Sequence, residues 1–441
     1  MSAENYQPAK AWRTASLLFC FTALNYIDKL AVGMLAVPLM VDLKLTPTQF
    51  GLVGSSFFWL FAVAGVAGGF AANRIPATRM LLLMALTWSV LQIPMALSSS
   101  LAVLVVCRLL LGVAEGPAFP VAIHACYKWF PDRRRDVATG VLAQGGAVGM
   151  VVAGIVIPLV TTHWGWRANF YVLALTGLLW VLVWRAFGRE GNVESGAADA
   201  DPALASMRVP YRHLLRRPTV LTCFVLHFAG YWCFALAITW LPAYLQIGLG
   251  YPAIQAGRVY ALLSALIVVS GVVGPMLVAR LLARGVSTRN ARGRVSALMF
   301  IVAGVALMSV WFTPYARLGS VIAISLAFAS PAVYVAMGPA LLAEVVPASQ
   351  RAAVLAIDNS IASIAGFIAP LVTGRVVEHL AGRGGYEASF AICGAMMLAS
   401  GLLAMMTIAP EKDARALSRY RRVQPAGEDG MALPPERPLA R

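Results

Sequence analysis

Charged side chains are scarce in this chain. Of its 441 residues, only 12% are Asp, Glu, Lys or Arg, whereas 60% are hydrophobic. The mean hydropathy of +0.75 lies far above that of a soluble protein. The uncharged runs 80–107, 259–279 and 318–343 are each long enough to cross a bilayer core, which takes about 20 apolar residues. The shortage of charge excludes an ordinary soluble protein and predicts a chain that crosses a membrane many times.

Several signatures of catalysis are also missing. The sequence has no phosphate loop of the form G-x-x-x-x-G-K-[ST], no H-E-x-x-H metal motif and no G-x-S-x-G nucleophile motif. No large polar domain is left to hold a cofactor. The cysteines show neither zinc-site spacing nor a disulfide framework, so we interpret them as small hydrophobic residues. We expect no enzyme activity, no cofactor and no metal. The cysteines are Cys20, Cys107, Cys126, Cys223, Cys233 and Cys393.

Acidic residues are fewer than basic ones, and the formal net charge is +16. The basic residues cluster on alternate connections between apolar runs, as the positive-inside rule predicts for cytoplasmic loops. This placement argues for membrane topology and against a nucleic-acid partner. It predicts a multi-pass protein of a bacterial inner membrane, surrounded by the lipid bilayer, with both termini in the cytoplasm. The clusters are Arg74/Arg79, Lys128/Arg133/Arg134/Arg135, Arg208/Arg212/Arg216/Arg217, Arg284/Arg289/Arg292/Arg294 and Arg415/Arg419/Arg421/Arg422.

Apolar runs and turn signals divide the chain into twelve predicted spans. A polar stretch separates the first six from the last six. We predict a first six-helix bundle at 1–187, a cytoplasmic linker at 188–217, a second bundle at 218–409 and a cytoplasmic tail at 410–441. The spans are predicted near 15–40, 48–72, 80–98, 101–126, 137–160, 168–187, 218–246, 255–283, 294–313, 318–343, 352–378 and 387–409.

The two predicted halves repeat three motifs in the same order. This order indicates a duplicated six-helix unit, and parallel repeats of six helices are typical of the major facilitator superfamily, which binds substrate between the halves. We therefore predict an all-α membrane fold with two six-helix bundles related by a pseudo-twofold axis. The paired motifs are 116–118 with 338–340 (Gly-Pro-Ala), 131–135 with 347–351 (Pro, then Arg four residues later) and 158–161 with 370–373 (Pro-Leu-Val-Thr).

A few charges lie inside the apolar runs, where each costs roughly 2.5–3.5 kcal/mol on insertion scales and usually serves a function. Arg108 and Glu115 are seven residues apart, which places them on one helical face. Asn25, Asp28 and Lys29 share a face of the first span at i, i+3 and i+4. Such a set predicts a charged pathway inside a transporter. A static ion pair that fixes helix packing is the alternative for Arg108 and Glu115.

Several motifs resemble the anion:cation symporter family of the major facilitator superfamily. The resemblance covers both halves, from about residue 12 to residue 409. It implies the major facilitator fold and proton-coupled uptake of organic anions, such as sugar acids, dicarboxylates or aromatic carboxylates. The motifs are 25–29 (Asn-Tyr-Ile-Asp-Lys), 108–120 (Arg-Leu-Leu-Leu-Gly-Val-Ala-Glu-Gly-Pro-Ala-Phe-Pro), 129–134 (Trp-Phe-Pro-Asp-Arg-Arg) and 240–245 (Trp-Leu-Pro-Ala-Tyr-Leu).

The resemblance also implies roles for residues of the first half. Lys29 stands where relatives usually have Arg, and it would hold the substrate carboxylate as a compact point charge. Alternatively, it could snorkel or pair with Asp28. Tyr26 would share the cavity wall. Phe61 replaces a substrate-facing Tyr, which suggests a substrate with fewer hydroxyls than a sugar acid. Gln144 matches a polar substrate contact of the family.

In the second half, Asn359 matches a substrate-facing Asn of the family. His227 and Tyr231 are at i and i+4 in the seventh span, so both could line the second half of the cavity. A lone membrane His can equally be hydrogen-bonded within the bundle. Asp358 could carry charge or lie at the cytoplasmic mouth of the pathway.

Together these features predict a secondary active transporter that takes up a small organic anion with protons by alternating access. Glu115 and Asp28 would take the driving protons, and Arg108 would pair with a carboxylate when it is deprotonated. Asp28 could instead be a structural partner of Arg108. A proton-driven exporter and a non-transporting membrane sensor are the alternatives, and sodium coupling also stays open. The tail has no recognisable signalling domain, which argues against a sensor. We expect a monomer.

Overall fold

The computed structural model describes residues 6–72, 74–191, 209–313 and 316–422. Within these residues the chain forms helices and no strands, and twelve helical segments are long and apolar enough to cross a membrane. Each coincides with a predicted span, which confirms the all-α, twelve-span fold. The spans are Pro8–Met34, Pro47–Ala71, Ala77–Leu97, Leu101–Tyr127, Val137–Trp164, Trp166–Phe187, Pro218–Thr239, Ala253–Ala283, Arg289–Phe312, Arg317–Val345, Arg351–Leu380 and Gly382–Thr407.

Local sequence signals determine where individual spans begin and end. The second span starts at a capping box: the Gln49 backbone N–H donates to the Thr46 hydroxyl, and the Thr46 N–H donates to the Gln49 side-chain oxygen. Only Gly165 separates the fifth helix from the sixth, with a φ of +80° that glycine adopts readily. The chain therefore reverses direction there within a single residue.

Three spans are interrupted near their middle. Pro117 and Pro331 lie at the breaks in the fourth and tenth spans, since proline lacks an N–H and crowds the preceding turn. Pro339, in contrast, lies inside a continuous helix. The first repeated motif, 116–118 with 338–340, therefore has a different local structure in each half. The interrupted spans consist of Pro47–Ser56 and Phe61–Ala71, Leu101–Glu115 and Ala118–Tyr127, and Arg317–Ala329 and Ala332–Val345.

The second repeated motif has the same structure in both halves. Arg135 Nε–H donates to the Phe130 carbonyl at 3.2 Å. Arg351 Nε–H donates to the Val346 carbonyl at 3.3 Å. Each arginine thus satisfies a backbone acceptor that follows the end of a membrane span, where carbonyl groups lack partners within their own helix.

The third repeated motif brings the halves together at two related contacts. A Cβ atom added to Gly51 of the second span would lie 2.5 Å from the carbonyl oxygen of Pro370 in the eleventh. A Cβ atom on Gly257 of the eighth span would lie 2.5 Å from Pro158 Cγ in the fifth. Only glycine permits such close approach between helices. Because equivalent prolines serve both contacts, we propose residues 1–187 and 218–409 as the two domains.

The connections that carry the basic clusters lie at one end of the bundle, which we call the basic side; the opposite end is the far side. On the far side the halves are closed against each other. A Cβ atom on Gly33 would lie 1.8 Å from the Ile238 carbonyl oxygen, and the Thr48 N–H donates to the Glu378 carboxylate at 2.9 Å. Access to the space between the halves is therefore blocked from the far side.

Shorter helices lie outside the spans. In the last of them Asp413 accepts a hydrogen bond from the Thr219 N–H at 3.0 Å, so the predicted tail caps the start of the seventh span. Parts of the predicted linker and tail, residues 192–208 and 423–441, lie outside the described residues. The shorter helices are Ala36–Asp42, Tyr211–Leu214, Leu241–Ala243, Tyr244–Gly248, Ala348–Gln350 and Pro410–Arg422.

Candidate functional site

Asn25 connects the first and fourth spans at the centre of the buried charges. Its Nδ2–H donates to Glu115 Oε2 at 2.8 Å, and its Oδ1 accepts from Lys29 Nζ at 2.6 Å. Lys29 Nζ also lies 3.8 Å from Glu115 Oε2. The other Glu115 oxygen is buried, and the Glu115 carboxyl lies beside that of Asp28. One hydrogen-bond network therefore joins Lys29, Asn25 and Glu115. A proton on Glu115 would remove its negative charge and weaken its attraction to the Lys29 ammonium.

Asp28 is held by a residue that the sequence analysis did not single out. Gln92 Nε2–H, from the third span, donates to Asp28 Oδ1 at 2.6 Å. Both residues are buried, and Asp28 also lies within hydrogen-bonding reach of Glu115, so the two carboxyl groups are neighbours in one buried layer. The sequence does contain a sign of this contact: Gln92 is the one amide side chain in the uncharged run 80–107. A buried amide needs hydrogen-bond partners. The alternative pairing of Lys29 with Asp28 is not formed.

Arg108 lies in the same buried layer and stacks on an aromatic ring. Its Cζ is 4.6 Å from the Phe57 ring centroid, and its Nε and Nη1 have no hydrogen-bond partner among the described residues. The direct ion pair with Glu115 that the spacing allowed is not formed, although both Glu115 and Asp28 experience the arginine's charge. Gly112 admits Phe57 to this position, since a Cβ atom there would lie 2.0 Å from the Phe57 carbonyl oxygen.

A cavity of about 650 Å³ lies between the halves. In the described chain, Lys29 is the one charged side chain that lines it. The Lys29 Nζ is 4.8 Å from the Tyr26 ring centroid and 5.3 Å from that of Phe61, so two aromatic faces stabilise the ammonium. The lining continues along the second span to Phe70 and along the eleventh to Ala352. Both lie at the basic ends of their spans, so the cavity extends toward the basic side.

Aromatic rings form much of the cavity wall. Phe58 from the first half meets Tyr231 from the second edge-to-face, with ring centroids 5.9 Å apart. Asn359 contributes an amide from the eleventh span. The wall of the cavity is therefore largely apolar, with one cationic side chain and few hydrogen-bonding groups. The aromatic lining residues are Tyr26, Phe57, Phe58, Phe61, Phe119, Tyr231 and Phe234.

Most of the predicted substrate contacts meet at this cavity, but two do not line it. Gln144 is half-buried in the fifth span, where its neighbour Gly146 lies so close to Tyr26 that a Cβ atom would be 2.7 Å from the ring. His227 pairs instead with Asp358, with Nδ1 2.7 Å from Oδ2. Helical spacing indicates a shared face but not the partner across the interface. The predicted residues that line the cavity are Tyr26, Lys29, Phe61, Tyr231 and Asn359.

Comparison with known proteins identifies the family. The family model described as the Major Facilitator Superfamily matches residues 18–334, so the chain belongs to that superfamily. It is similar to a probable sulfoacetate transporter of Cupriavidus necator, with 29% identity over 88% of this chain and 91% of that protein. It is also similar to a hexuronate transporter of Bacillus subtilis, with 24% identity over 89% of this chain and 94% of that protein.

A solved structure supports the fold alone. A bacterial homologue of the human lysosomal transporter Spinster, described as inward-facing and unoccupied, superposes with a TM-score of 0.72 at 18% identity. The match covers 95% of this chain and 100% of that one. The predicted family and fold are confirmed, and the chain is a multi-pass membrane transporter, not an enzyme, with anion transporters among its relatives.

Proposed function

We propose that this protein takes up a small organic anion across a bacterial inner membrane together with protons. One observation carries the proposal: Lys29 lines the cavity and at the same time lies against Glu115. The same cation is thus within reach of an anion in the cavity and of a carboxylate that a proton can neutralise. In this proposal the protein is a monomer, and its basic side, with both termini, faces the cytoplasm.

Charge balance links anion binding to protonation. With Asp28, Lys29, Arg108 and Glu115 all ionised, the buried cluster is neutral. A bound carboxylate adds a negative charge, which is costly in a site shielded from water. A proton on Glu115 restores neutrality and frees Lys29 for the substrate. Release of the substrate and of the proton to the cytoplasm returns Lys29 to Glu115.

The remaining charges maintain this balance. Arg108 stays in the buried layer and compensates whichever carboxylate is ionised, a role that suits its unpaired Nε and Nη1. Asp28 is the second proton acceptor: Gln92 holds one of its oxygens, and the carboxyl can take a proton beside Glu115. Its role is to keep the cluster from accumulating charge as the halves rearrange.

The cavity wall supports an aromatic carboxylate over a sugar acid. A sugar acid carries several hydroxyls, and each buried hydroxyl without a partner costs roughly 1–3 kcal/mol. In the described wall, Tyr26, Tyr231 and Asn359 are the few hydrogen-bonding side chains besides Lys29. The flat ring of an aromatic carboxylate would instead pack on the aromatic side chains of the wall, and its carboxylate would lie near Phe61 and Lys29. Gln144 would join the contacts when the halves rearrange.

A binding screen tests the substrate class. Thermal unfolding of the purified protein is measured with 4-hydroxybenzoate, succinate, galacturonate and sulfoacetate. A ligand present at 100 times its Kd stabilises by about 2.7 kcal/mol, which is a readily measured shift. We expect the largest shift with 4-hydroxybenzoate. A larger shift with galacturonate would contradict the argument from the aromatic wall.

Transport in proteoliposomes tests coupling and direction. An inward proton gradient should drive accumulation of the labelled anion, and a sodium gradient of equal size should not. Accumulation driven only by sodium would overturn proton coupling. If the anion instead leaves vesicles against its gradient as protons enter, the exporter alternative is correct.

A further inference from the structure

The second half contains its own buried acid–base pair. His227 Nδ1 of the seventh span lies 2.7 Å from Asp358 Oδ2 of the eleventh. Asp358 is 3% exposed, and its Oδ1 is buried with no hydrogen-bond partner among the described residues. Neither residue belongs to the cluster around Glu115, so the proposed function leaves this pair without a role.

Among the residues that the structure describes, no Lys or Arg side chain pairs with either member of this acid–base pair. Tyr231 and Tyr334 flank His227, with ring centroids 6.2 and 6.4 Å from its own. The Tyr334 hydroxyl donates to the Cys223 carbonyl at 2.8 Å, so it is not directed at Asp358. In the described part of the chain, the one ion pair that Asp358 makes is with His227.

The other spans and helices packed against the seventh span add no charge beside the pair. The first span presents Tyr26 toward Tyr231. The twelfth places Cys393 beside Cys233, and the tail helix places Asp413 against the Thr219 N–H. Both of these contacts are more than one helical turn along the span from His227. The protonation of the pair therefore depends mainly on His227 and Asp358 themselves.

Two states of the pair are electrically neutral, and both hold one shared proton. The proton is either on the imidazole, which then faces a carboxylate, or on Asp358, beside a neutral imidazole. Loss of that proton leaves a bare carboxylate in a dry interior, which is costly. A proton reaches the pair from the cavity, because Tyr231, one helical turn from His227, and Asn359, next to Asp358, both line that cavity.

We propose that His227 and Asp358 together bind and release one proton during the transport cycle, as a proton site separate from Asp28 and Glu115. The proposal rests on the proposed proton coupling. The two helices that hold the pair also close the far side, through Ile238 against the first span and Pro370 against the second. A change of charge between these helices therefore acts on elements that must move for the transporter to open. His227 is a proton carrier here and not the substrate contact that its spacing suggested.

Direct observation of the imidazole tests whether the pair binds a proton. The chain has only five histidines, so nitrogen-15 histidine labelling gives a simple NMR spectrum, and His227→Gln assigns the signal. His163 is the internal control, as it is exposed and bonded to its own helix at Leu159. We expect Asp358→Asn to change how the His227 signal depends on pH, because the shared proton loses its second acceptor. The pH dependence of the His163 signal should not change.

Two NMR results would overturn the proposal. In the first, the His227 signal of the unmodified protein does not respond to pH at all. In the second, Asp358→Asn leaves the pH dependence of the His227 signal unchanged. Either result would mean that the pair does not bind and release a shared proton. Because this measurement needs no substrate, it remains decisive even if no transported anion has been identified.

Transport by the double variant His227→Gln/Asp358→Asn tests the role in coupling. The variant replaces the pair by two amides that can still bond each other. Accumulation of labelled 4-hydroxybenzoate in proteoliposomes is measured under a pH step of one unit, at which each coupled proton contributes a factor of about ten at equilibrium. We expect the variant to accumulate about tenfold less, with exchange retained. Equal accumulation would refute this proton site while proton coupling stands. No accumulation by the unmodified protein would contradict the proposed function itself.

Discussion

Glu115 is the residue at which we expect coupling to be lost most cleanly. Glu115→Gln imitates the protonated acid, so it should remove one coupled proton: accumulation under a pH step of one unit should fall about tenfold, while exchange of substrate between the two sides is kept. The measurement compares accumulation with exchange in proteoliposomes. Glu387→Gln is the matched control, because Glu387 is a second intramembrane glutamate that bonds Tyr244 and Arg383 outside the cluster. If Glu115→Gln accumulates substrate to the level of the unmodified protein, Glu115 is not a coupling site.

Lys29 separates the effect of charge from that of geometry. Lys29→Ala should weaken anion binding by about tenfold to 150-fold, since a hydrogen bond to a charged group contributes roughly 1.5–3 kcal/mol. Lys29→Arg should keep binding and change the preference among carboxylates, because a guanidinium presents a planar fork. Equilibrium binding of 4-hydroxybenzoate and its uncharged amide measures both effects, with Lys10→Ala on the same helix as control. Equal binding of acid and amide by the unmodified protein would show that Lys29 does not hold the carboxylate.

The sequence predicts which buried residues share a helical face, but not which residues of other spans they contact. The shared faces of 25–29 and 108–115 were predictable, because helical periodicity alone places their side chains. The contacts between Asn25 and Glu115 and between Gln92 and Asp28 were not. Each joins two spans that are distant in sequence, and spacing within one helix carries no information on its partner.

At the scale of helices, close packing on the far side controls whether the transporter can close there. A Cβ atom on Gly33 would lie 1.8 Å from the Ile238 carbonyl oxygen. Overpacking of this kind costs about 1–3 kcal/mol, so Gly33→Ala should reduce transport by about fivefold to 150-fold by disfavouring closure. Gly140→Ala is the control, since a Cβ atom there meets nothing within 4 Å. Wild-type uptake by Gly33→Ala would mean that this closure is not needed.

A second far-side contact connects the short helix after the first span to the start of the sixth. Hydrogen bonds from Arg167 and then Trp166 hold the pKa of Asp42 below its usual range. A lowered pKa means that the contact stabilises the fold above about pH 4, the usual Asp range, and is lost as the pH falls through the lowered value. The difference in melting temperature between the unmodified protein and Asp42→Asn should therefore vanish only in acid. A difference that persists at the lowest pH would contradict this origin.

At the scale of the whole molecule, alternating access requires the halves to part on the far side. The Thr48 N–H donates to the Glu378 carboxylate at 2.9 Å across the closure, so a short, reducible thiol cross-linker should join Thr48→Cys to Glu378→Cys. Cross-linking should stop transport, and cleavage of the cross-linker by a reducing agent should restore it. The single cysteine variants are the controls, and of the native cysteines only Cys20 is exposed. Full transport by the cross-linked protein would contradict alternating access through this closure.

The sequence by itself determined the twelve spans, the basic clusters on alternate connections and the positions of the buried charges. Membrane insertion imposes these features locally, through the length of apolar runs and the cost of each charge within them. Only the tertiary structure decided which side chains meet: Lys29 and Asn25 both contact Glu115, and Arg108 stacks on Phe57. It also decided that His227 pairs with Asp358 and that the halves close on the far side. These outcomes depend on which helices lie side by side, and that arrangement is set by close packing of distant segments across the whole molecule.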